Sequence, residues 1–405
     1  MKILFVANRM PYPPYRGDKL KIFNLAKQLA PHHELHLLTI AESHEDIAYG
    51  EQLKSMRVEG SDKLLLARVD WVYRPLVKSY ASALLGLFGS KPLQLAFFQS
   101  RAFKKRLDRT LLQPFDAIHV QHLRMGQYLD KRVPENAVLD LPDAFSLYWK
   151  RRMENAKNPV LRLFNRLEYK RMHRWEQRLL PQFSLSLVCS VEDRNHLLQT
   201  CQLPESRLGL LPNGVDDQSF SPKVNHSQRP TVLFTGNMDY APNIDAVQWF
   251  AAEIWPQITA KLPRAEFVIA GQRPVSAVRA LASDSIRVVG FVEDLSEAYA
   301  QAHVLVSPLR LGAGTQNKVL EAMSMGVPVV CTSVGFFGLG IASGDGVVLA
   351  SDSSEFAQSV LDLLEEPSKA KEIGAKGYEL VQTRFAWRVV AKQLEAFFTG
   401  ISTHI

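Results

Sequence analysis

Long hydrophobic runs are missing from the 405 residues of this chain. Although 46% of the residues are hydrophobic, no apolar stretch approaches the roughly 20 residues that a membrane-spanning helix needs. The apolar core of Met1–Met10 is far shorter than that of a signal peptide, and Asn8 and Arg9 follow it directly. We therefore expect a first buried strand at this end, no membrane span and a cytoplasmic protein.

Cysteine is scarce. The three cysteines, Cys189, Cys201 and Cys331, are odd in number, show no C-x-x-C spacing and stand beside apolar residues. This pattern is typical of reduced thiols in the core of a cytoplasmic protein. It suggests neither a disulfide framework nor a zinc site.

Several motifs of catalytic and nucleotide-binding proteins are absent. The sequence has no G-x-x-x-x-G-K-[ST] loop, no G-x-S-x-G turn and no H-E-x-x-H helix. It also has no D-x-D pair convincingly placed to hold a metal ion. If the chain catalyses a reaction, we expect that reaction to need neither a metal ion nor a bound cofactor.

Charge is distributed unevenly along the chain. Residues 1–200 contain 32 Lys and Arg against 20 Asp and Glu, a net charge of +12, whereas residues 201–405 carry a net charge of −5. The densest basic segment, Lys150–Arg178, has ten Lys and Arg and three Glu among Leu, Phe, Tyr and Trp. Such a segment binds an anionic membrane surface, binds nucleic acid or forms a solvated helix face.

Short β-like runs alternate with longer helical patterns, which predicts an α/β protein built from two doubly wound, Rossmann-like domains with parallel sheets. The polar stretch Ser221–Pro230 is the best linker candidate, because the strand and helix series begins again after it. We predict an amino-terminal domain over 1–205, a carboxyl-terminal domain over 206–385, and a helix within 386–405 that packs back toward the first domain. The strands expected are Ile3–Ala7, Leu35–Ile40, Ala117–Val120, Ala137–Leu139, Leu185–Cys189, Leu208–Leu211, Thr231–Thr235, Glu266–Ala270, Arg287–Val289, His303–Val306, Val327–Cys331 and Gly346–Leu349.

The most informative stretch reads as the end of a strand, a glycine-rich loop, a helix and a strand, between Pro308 and Thr332. The loop Gly312–Thr315 has no bulky side chains, so its N–H groups can approach an anion at the start of a helix near Gln316. Lys318 and Glu321 are three positions apart and share a face of that helix. The alternative is an ordinary helix and strand of an α/β core.

Further candidates follow other predicted strands, where the ligands of such sheets bind. After the first strand, a proline-rich loop ends in Arg16, Gly17 and Asp18, where it can clamp a phosphate or a sugar hydroxyl; alternatively, Asp18 only caps a helix. His119 and His122 lie at the end of another strand and can contact an acceptor hydroxyl or a leaving phosphate, although one of the pair is expected to be structural.

In the second half, Gly236 and Asn237 form a glycine turn after a strand and can approach a pyrophosphate. Arg310 follows a later strand and, with Lys318, offers two cations to a diphosphate, for which the fork of an arginine is well suited.

These residues together resemble the GT-B glycosyltransferases of family 4, also called group 1. The stretch Leu320–Val330 is similar to the family signature around the second glutamate of its E-x7-E motif, and Glu321 takes the place of that glutamate. The segments Pro13–Lys19, Pro212–Asp216, Thr235–Ala246 and Gly314–Met323 are similar to the sugar transferases associated with exosortase and PEP-CTERM systems.

Two departures accompany the resemblance. Ala313 stands where the family has the first glutamate, which contacts the donor sugar, so backbone N–H groups of Gly314 and Thr315 or the Gln316 side chain must replace it. The Arg and Lys that many members carry after the first strand of the second domain are also missing. We assign their diphosphate-binding role to Arg310 and Lys318.

The resemblance implies a retaining, metal-independent glycosyltransferase with a UDP- or GDP-linked sugar as its donor substrate. In that scheme Glu321 holds the donor ribose, Gly236, Asn237, Gly314, Thr315, Gln316 and Asn317 complete the donor site, and Arg310 and Lys318 stabilise the leaving diphosphate. His119 or His122, with Arg16, Gly17 and Asp18, faces a polysaccharide or lipid-linked acceptor. We expect exopolysaccharide synthesis in the cytoplasm, at the inner face of the plasma membrane through Lys150–Arg178, with no nucleic acid as partner.

Three rival interpretations remain open. A non-catalytic GT-B scaffold of a polysaccharide assembly complex is favoured by Ala313. A nucleotide-sugar epimerase of the same architecture would need no acceptor. A nucleic-acid-binding protein is suggested by the pI of 9.2, but the basic segment lacks a recognised nucleic-acid motif.

Overall fold

A computed structural model describes residues 1–15, 17–223, 227–310 and 316–402. The chain divides into two compact units. The first comprises Met1–Pro212 together with the chain from Val390 onward, and the second spans Asn213–Val389. In the described part of the chain, no helix combines the length and the apolar character that crossing a bilayer requires.

The first unit contains a seven-stranded parallel sheet in the order β3-β2-β1-β4-β5-β6-β7. Its central strands are nearly continuous apolar runs, as expected for strands covered on both faces. The strand order reverses between β1 and β4, which is where such sheets bind ligands. The strands are β1 Lys2–Val6, β2 Glu34–Ala41, β3 Arg68–Tyr73, β4 Ala117–Gln121, β5 Ala137–Leu141, β6 Leu185–Val188 and β7 Leu208–Leu210.

The second unit repeats this plan with a six-stranded parallel sheet in the order β10-β9-β8-β11-β12-β13. Its order reverses between β8 and β11. The strands are β8 Thr231–Thr235, β9 Glu266–Ala270, β10 Ile286–Gly290, β11 Val304–Ser307, β12 Val329–Cys331 and β13 Val347–Leu349.

Helices cover the faces of both sheets. Those of the first unit are α1 Gly17–Leu29, α2 His44–Ser55, α3 Leu76–Gly86, α4 Leu93–Phe97, α5 Arg101–Thr110, α6 His122–Gly126, α7 Phe145–Glu154, α8 Pro159–Leu179 and α9 Val191–Cys201. Those of the second unit are α10 Ala241–Trp249, α11 Trp255–Lys261, α12 Ser276–Arg279, α13 Leu295–Ala300, α14 Asn317–Ser324, α15 Ser333–Phe336, α16 Ser353–Glu365 and α17 Pro367–Leu380. The last helix, α18 Trp387–Ser402, crosses the division at Val390.

The predicted α/β class with two doubly wound parallel sheets is confirmed. Strand β3 was not predicted. Strand β3 lies at the edge of its sheet, and apart from Val69 its residues are exposed or only partly buried. Its sequence therefore lacks the continuous apolar pattern by which the buried strands were recognised.

Candidate functional site

In the second unit, the loops after three neighbouring strands are hydrogen-bonded to one another at the carboxyl edge of the sheet. Gly236 N–H donates to Ala270 O (3.1 Å) and Gly271 N–H donates to Gly290 O (2.7 Å). Gly236 and Gly271 have φ of 151° and 154°, which L side chains rarely adopt. A Cβ on Gly271 would lie 1.7 Å from Gly236 O, so this edge requires bare backbone.

Lys318 points from α14 to the glycine turn after β8. Its Nζ donates to Asn243 Oδ1 (3.0 Å) and lies 3.9 Å from the centre of the Phe234 ring. A Cβ on Gly236 would come within 3.3 Å of the same Nζ. The side chain is 8% exposed, and burial lowers the pKa of Lys318 from 10.5 to about 7, with Glu321 opposing that shift. The structure therefore keeps a poorly solvated amine at the point where the strand order reverses.

Glu321 stands one turn further along α14, and the hydroxyl of Tyr299 contacts it. The Tyr299 hydroxyl donates to Glu321 Oε2 (2.7 Å) and lies 2.8 Å from Thr235 Oγ1. Burial raises the pKa of Glu321, while the bond from Tyr299 and the nearby Lys318 oppose that shift. Because Tyr299 is fully buried, the carboxylate is held in one orientation, with one oxygen engaged by the protein.

Arg310 already has a partner within its own unit. Its Nε donates to Asp245 Oδ2 (3.0 Å), its Nη2 donates to Asp245 Oδ1 (2.5 Å), and its guanidinium lies 5.3 Å from the Trp249 ring centre. The bond to Asp245 raises the pKa of Arg310. The predicted diphosphate contact would compete with this bidentate pair, so Lys318 is the better supported of the two predicted cations.

The glycine-rich loop leads into α14, which begins at Asn317. Gln316 is the N-cap residue of α14, and Asn317 Oδ1 accepts from Asn213 Nδ2 (3.4 Å). Gly314 and Thr315, for which we predicted phosphate contacts, lie outside the described residues. The helix start predicted near Gln316 agrees with the observed first residue, Asn317.

In the first unit, the structure places His119 inside the sheet. Its ring has no exposed surface, its Nε2 lies 3.1 Å from Asp140 Oδ2, and it packs against Phe5. Lys21 Nζ donates to Asp140 Oδ1 (2.7 Å) and to Leu211 O (3.1 Å). Burial opposes ionisation of Asp140, but Lys21 and His119 hold its pKa below the usual value. This placement argues against the catalytic role predicted for His119 and makes it a structural residue.

His122 directly follows β4 and has φ of 74°, an uncommon conformation for a residue with a side chain. Its ring stacks on Phe145 with 4.5 Å between centroids, and its Nδ1 accepts from the N–H of Arg124 (3.1 Å). Burial, and then the charge of Arg124, lower the pKa of His122 well below 6.5. His122 is thus a neutral imidazole and only 2% exposed, and its contact with an acceptor stays a prediction.

The predicted acceptor loop is partly described. Gly17 is the first residue of α1, two residues earlier than the predicted helix start, and Asp18 is the second. Asp18 Oδ2 accepts from Arg9 Nη1 (3.1 Å) and from Asn8 Nδ2 (3.3 Å), so this carboxylate anchors the loop after β1. Arg16 lies outside the described residues.

One group in the described part of the chain brings metal-binding side chains together, namely Asp143, Cys189 and Asp193 in the first unit. The Cys189 thiol donates to Pro142 O, and Asp193 Oδ1 accepts from Ala144 N–H (3.0 Å). These bonds tie adjacent loops together.

Sequence reasoning missed the two residues that position the predicted ones, Asn243 and Tyr299. Asn243 Nδ2 donates to Asn237 O (2.9 Å) while its Oδ1 accepts from Lys318, so it joins the glycine turn to α14. Tyr299 joins Thr235 and Glu321 in the same way. A buried tyrosine needs a hydrogen-bond partner, but the sequence does not show which one.

Part of the second unit, and the chain as a whole, resemble known proteins. Residues 229–366, within the second unit, match the family described as Glycosyl transferases group 1. An uncharacterized 44.6 kDa protein in the cps region of Klebsiella pneumoniae is 21% identical over 95% of this chain and 96% of its own length. A GDP-mannose-dependent monoacylated alpha-(1-6)-phosphatidylinositol monomannoside mannosyltransferase of Corynebacterium glutamicum is 27% identical over 45% of this chain. The match spans only about half (54%) of the length of that relative.

Two solved structures resemble the whole chain. Sucrose-phosphate synthase of Thermosynechococcus elongatus superposes with a TM-score of 0.71 at 16% identity and covers all of both chains. HepE of Anabaena, in complex with UDP-glucose, gives a TM-score of 0.66 at 16% identity, over 99% of this chain and all of its own. At this identity the likeness shows the fold, which is GT-B, and the predicted fold class is confirmed. The part of the chain that matches the group 1 glycosyltransferases thus lies within the second unit.

Proposed function

We propose that this protein transfers a sugar from a nucleoside diphosphate sugar, which the second unit binds, to a hydroxyl group of an acceptor. The observation that carries the proposal is the buried amine of Lys318 beside the glycine turn of Gly236, with Glu321 one turn away on the same helix. An anionic diphosphate restores the charge of the amine, and a carboxylate suits the two hydroxyls of a ribose. The match of this region to the group 1 family supports the same assignment.

The chemistry makes one main demand on the protein. As the bond between the sugar and the diphosphate breaks, negative charge grows on the leaving group, and cations and N–H groups placed beforehand lower the barrier. Lys318 and the backbone at the start of α14 supply this stabilisation. We propose a retaining transfer without a metal ion, in which the acceptor oxygen bonds to the sugar carbon while its proton passes to a departing phosphate oxygen.

For the acceptor we propose a lipid-linked saccharide or a growing polysaccharide, bound by the first unit near His122 and the loop of Asp18. Because the sequence resembles exosortase-associated sugar transferases, we propose that this reaction belongs to exopolysaccharide synthesis. Because Lys150–Arg178 is strongly basic, we propose that the protein works at the anionic inner face of the plasma membrane. UDP and GDP both remain candidates for the donor base, since HepE was solved with UDP-glucose and the Corynebacterium relative uses GDP-mannose.

A second candidate is a scaffold that binds nucleotide sugars without transferring them. It is favoured by Ala313, which replaces the first glutamate of the E-x7-E motif, and by the engagement of Arg310 with Asp245. In that case donor affinity persists while no sugar is transferred to any acceptor.

The test combines binding with turnover. Purified protein is titrated by calorimetry with UDP- and GDP-linked sugars in the presence of a chelator, and then incubated with the best donor and a lipid extract from cells that make a capsule or exopolysaccharide. We expect micromolar binding of one donor and transfer of its labelled sugar to the lipid fraction. Binding without transfer supports the scaffold, and the absence of binding refutes both candidates.

A further inference from the structure

Half of the large hydrophobic side chains that are exposed in the described part of the chain fall in two short segments of the first unit. Val77 and Phe88 are 78% and 94% exposed. A single exposed apolar residue is ordinary, but a concentration of them marks an interaction site. We call this set the apolar surface; its members are Leu76, Val77, Tyr80, Leu84, Leu85, Leu87, Phe88, Val160, Leu161, Leu163 and Leu167.

Helix α3 keeps its apolar side outward because polar bonds hold it in place. Ser79 is its one buried residue. The buried guanidinium of Arg74 donates to the Ser79 hydroxyl, to Ser82 Oγ (3.0 Å) and to Phe97 O (2.5 Å). These bonds anchor the helix from the inside, together with an edge-to-face contact between the Tyr80 and Phe97 rings at 5.3 Å between centroids. The leucine and valine side chains of the helix stay exposed.

The second part of the apolar surface lies on the first half of α8. Val160, Leu163 and Leu167 are three and four positions apart and so share one face of the helix. The same row continues to Arg171, whose Nη2 donates to Leu87 O at the end of α3 (2.8 Å). The exposed leucines of α8 therefore lead directly to those of α3.

Within the two segments that carry the apolar surface, the exposed charges are all basic. The segment from Trp71 to Pro92 contains no Asp or Glu, and both acidic residues of α8, Glu168 and Glu176, are buried. Next to the row of Val160, Leu163 and Leu167, exposed basic residues four positions apart run along α8. This basic row consists of Arg162, Arg166 and Lys170. An apolar face beside uncompensated basic side chains complements a surface that is apolar inside and anionic outside.

We propose that the apolar surface lies in the boundary between headgroups and acyl chains of an anionic bilayer, with the basic row at the lipid phosphates. Helix α3 has 11 residues, about half of what spanning requires, so it lies along the membrane. This inference rests on the proposed function, because it names the surface that brings the first unit to a lipid-linked acceptor.

The test measures sedimentation with vesicles of phosphatidylcholine, with and without phosphatidylglycerol, at low and high salt. The basic-row variant and its matched control each replace three exposed basic residues of one helix by glutamine. The basic-row variant changes Arg162, Arg166 and Lys170. The control changes Arg101, Lys105 and Arg109 on α5, which have the same spacing. Each basic residue removed should lower the affinity for anionic vesicles about fivefold, so the basic-row variant should lose about 100-fold in affinity. The control should lose little.

The apolar arm replaces Val77, Leu84 and Phe88 by serine, and its control is Leu112→Ser, a change at an exposed leucine elsewhere in the first unit. We expect the triple variant to lose at least about tenfold in affinity at both salt concentrations, because apolar insertion is not screened. Unchanged binding of this variant, or an equal loss in the α5 control, would overturn the proposal. So would a self-association of the wild type that the triple variant abolishes, because a second copy would then cover the surface.

Failure here is distinguishable from failure of the proposed function. Vesicle binding needs neither donor nor acceptor, and donor titration needs no membrane. Wild-type protein that binds a nucleotide sugar but no anionic vesicle overturns this inference and the proposed membrane location, and leaves the proposed sugar transfer standing. Circular dichroism and donor affinity of the triple variant, both expected to match those of the wild type, show that its fold is intact.

Discussion

The buried amine of Lys318 makes donor binding depend on pH. Its pKa is lowered from 10.5 to about 7 by burial, so about half of the free protein carries the charge at pH 7. A diphosphate beside the amine favours the protonated form and raises this pKa. Binding therefore takes up a proton near neutral pH, and affinity falls as pH rises above 7.

The size of the effect follows from the charged fraction. From pH 7 to pH 9 that fraction falls from about one half to about one hundredth, so affinity should fall about 50-fold, or about 2 kcal/mol. The full 50-fold fall requires that the pKa of Lys318 in the complex with the donor stay above 9. Calorimetry with an intact nucleotide sugar is the assay, because the diphosphate of such a sugar does not ionise in this pH range. Repeating the titration in buffers of different ionisation enthalpy gives the number of protons taken up on binding.

The same residue affects stability in the opposite direction. Because the pKa is lower in the folded than in the unfolded chain, the unfolded chain binds more protons between pH 7 and 10.5, and stability rises with pH across that window. At pH 7 the lowering corresponds to about 4 kcal/mol of unfavourable burial. Lys318→Met removes this cost but leaves Asn243 Oδ1 without its donor, at about 1 to 3 kcal/mol. We therefore expect a net gain of about 1 to 3 kcal/mol in urea unfolding.

Lys318→Met is thus expected to be more stable than the wild type at pH 7 and yet to lose donor affinity and its pH dependence. A wild-type affinity that stays constant from pH 7 to 9, with no proton uptake, would refute the reasoning. A destabilised Lys318→Met variant would show instead that the amine is charged and well compensated in the folded protein.

Three other changes test the site and its support. Glu321→Ala should lose donor binding while the fold survives, and normal affinity in calorimetry would remove the ribose assignment. Gly236→Ala places a Cβ 2.7 Å from Asn243 Nδ2, so we expect at least about tenfold weaker donor binding from a displaced Lys318; wild-type affinity would show that the turn has room. Asp140→Asn leaves Lys21 buried without its counter-charge and should cost about 3 to 5 kcal/mol in urea unfolding, whereas a loss below 1 kcal/mol would show that water reaches the amine.

The sequence allowed the sheet of the second unit to be predicted closely. Thr231–Thr235 and Glu266–Ala270 were predicted with the bounds that the structure has. Both are short apolar runs, nearly all of whose residues are buried, so the hydrophobic pattern alone defines them. The edge strand β3 escaped prediction because burial does not determine its composition.

The site was only partly predictable. The spacing of Lys318 and Glu321 placed both on one helix near a loop. The burial that lowers the pKa of the lysine could not be predicted from that spacing, nor could its contacts with Phe234 and Asn243, which stand far away in the sequence. His119 and His122 were predicted from their position at a strand end, with one of the pair expected to be structural. The structure indicates that His119 is that residue, because its ring lies among core residues and contacts Asp140. The direction of a side chain, and what surrounds it, required the fold.

The measurement that tests the central claim most directly is a titration of the purified protein, in chelator, with a panel of intact nucleotide sugars, repeated with Lys318→Met. The account predicts that one UDP- or GDP-linked sugar binds the wild type in the micromolar range at pH 7, and that the variant binds it at least about tenfold more weakly while melting at a higher temperature. Equal binding by both proteins, or no binding of any nucleotide sugar by the folded wild type, would contradict it.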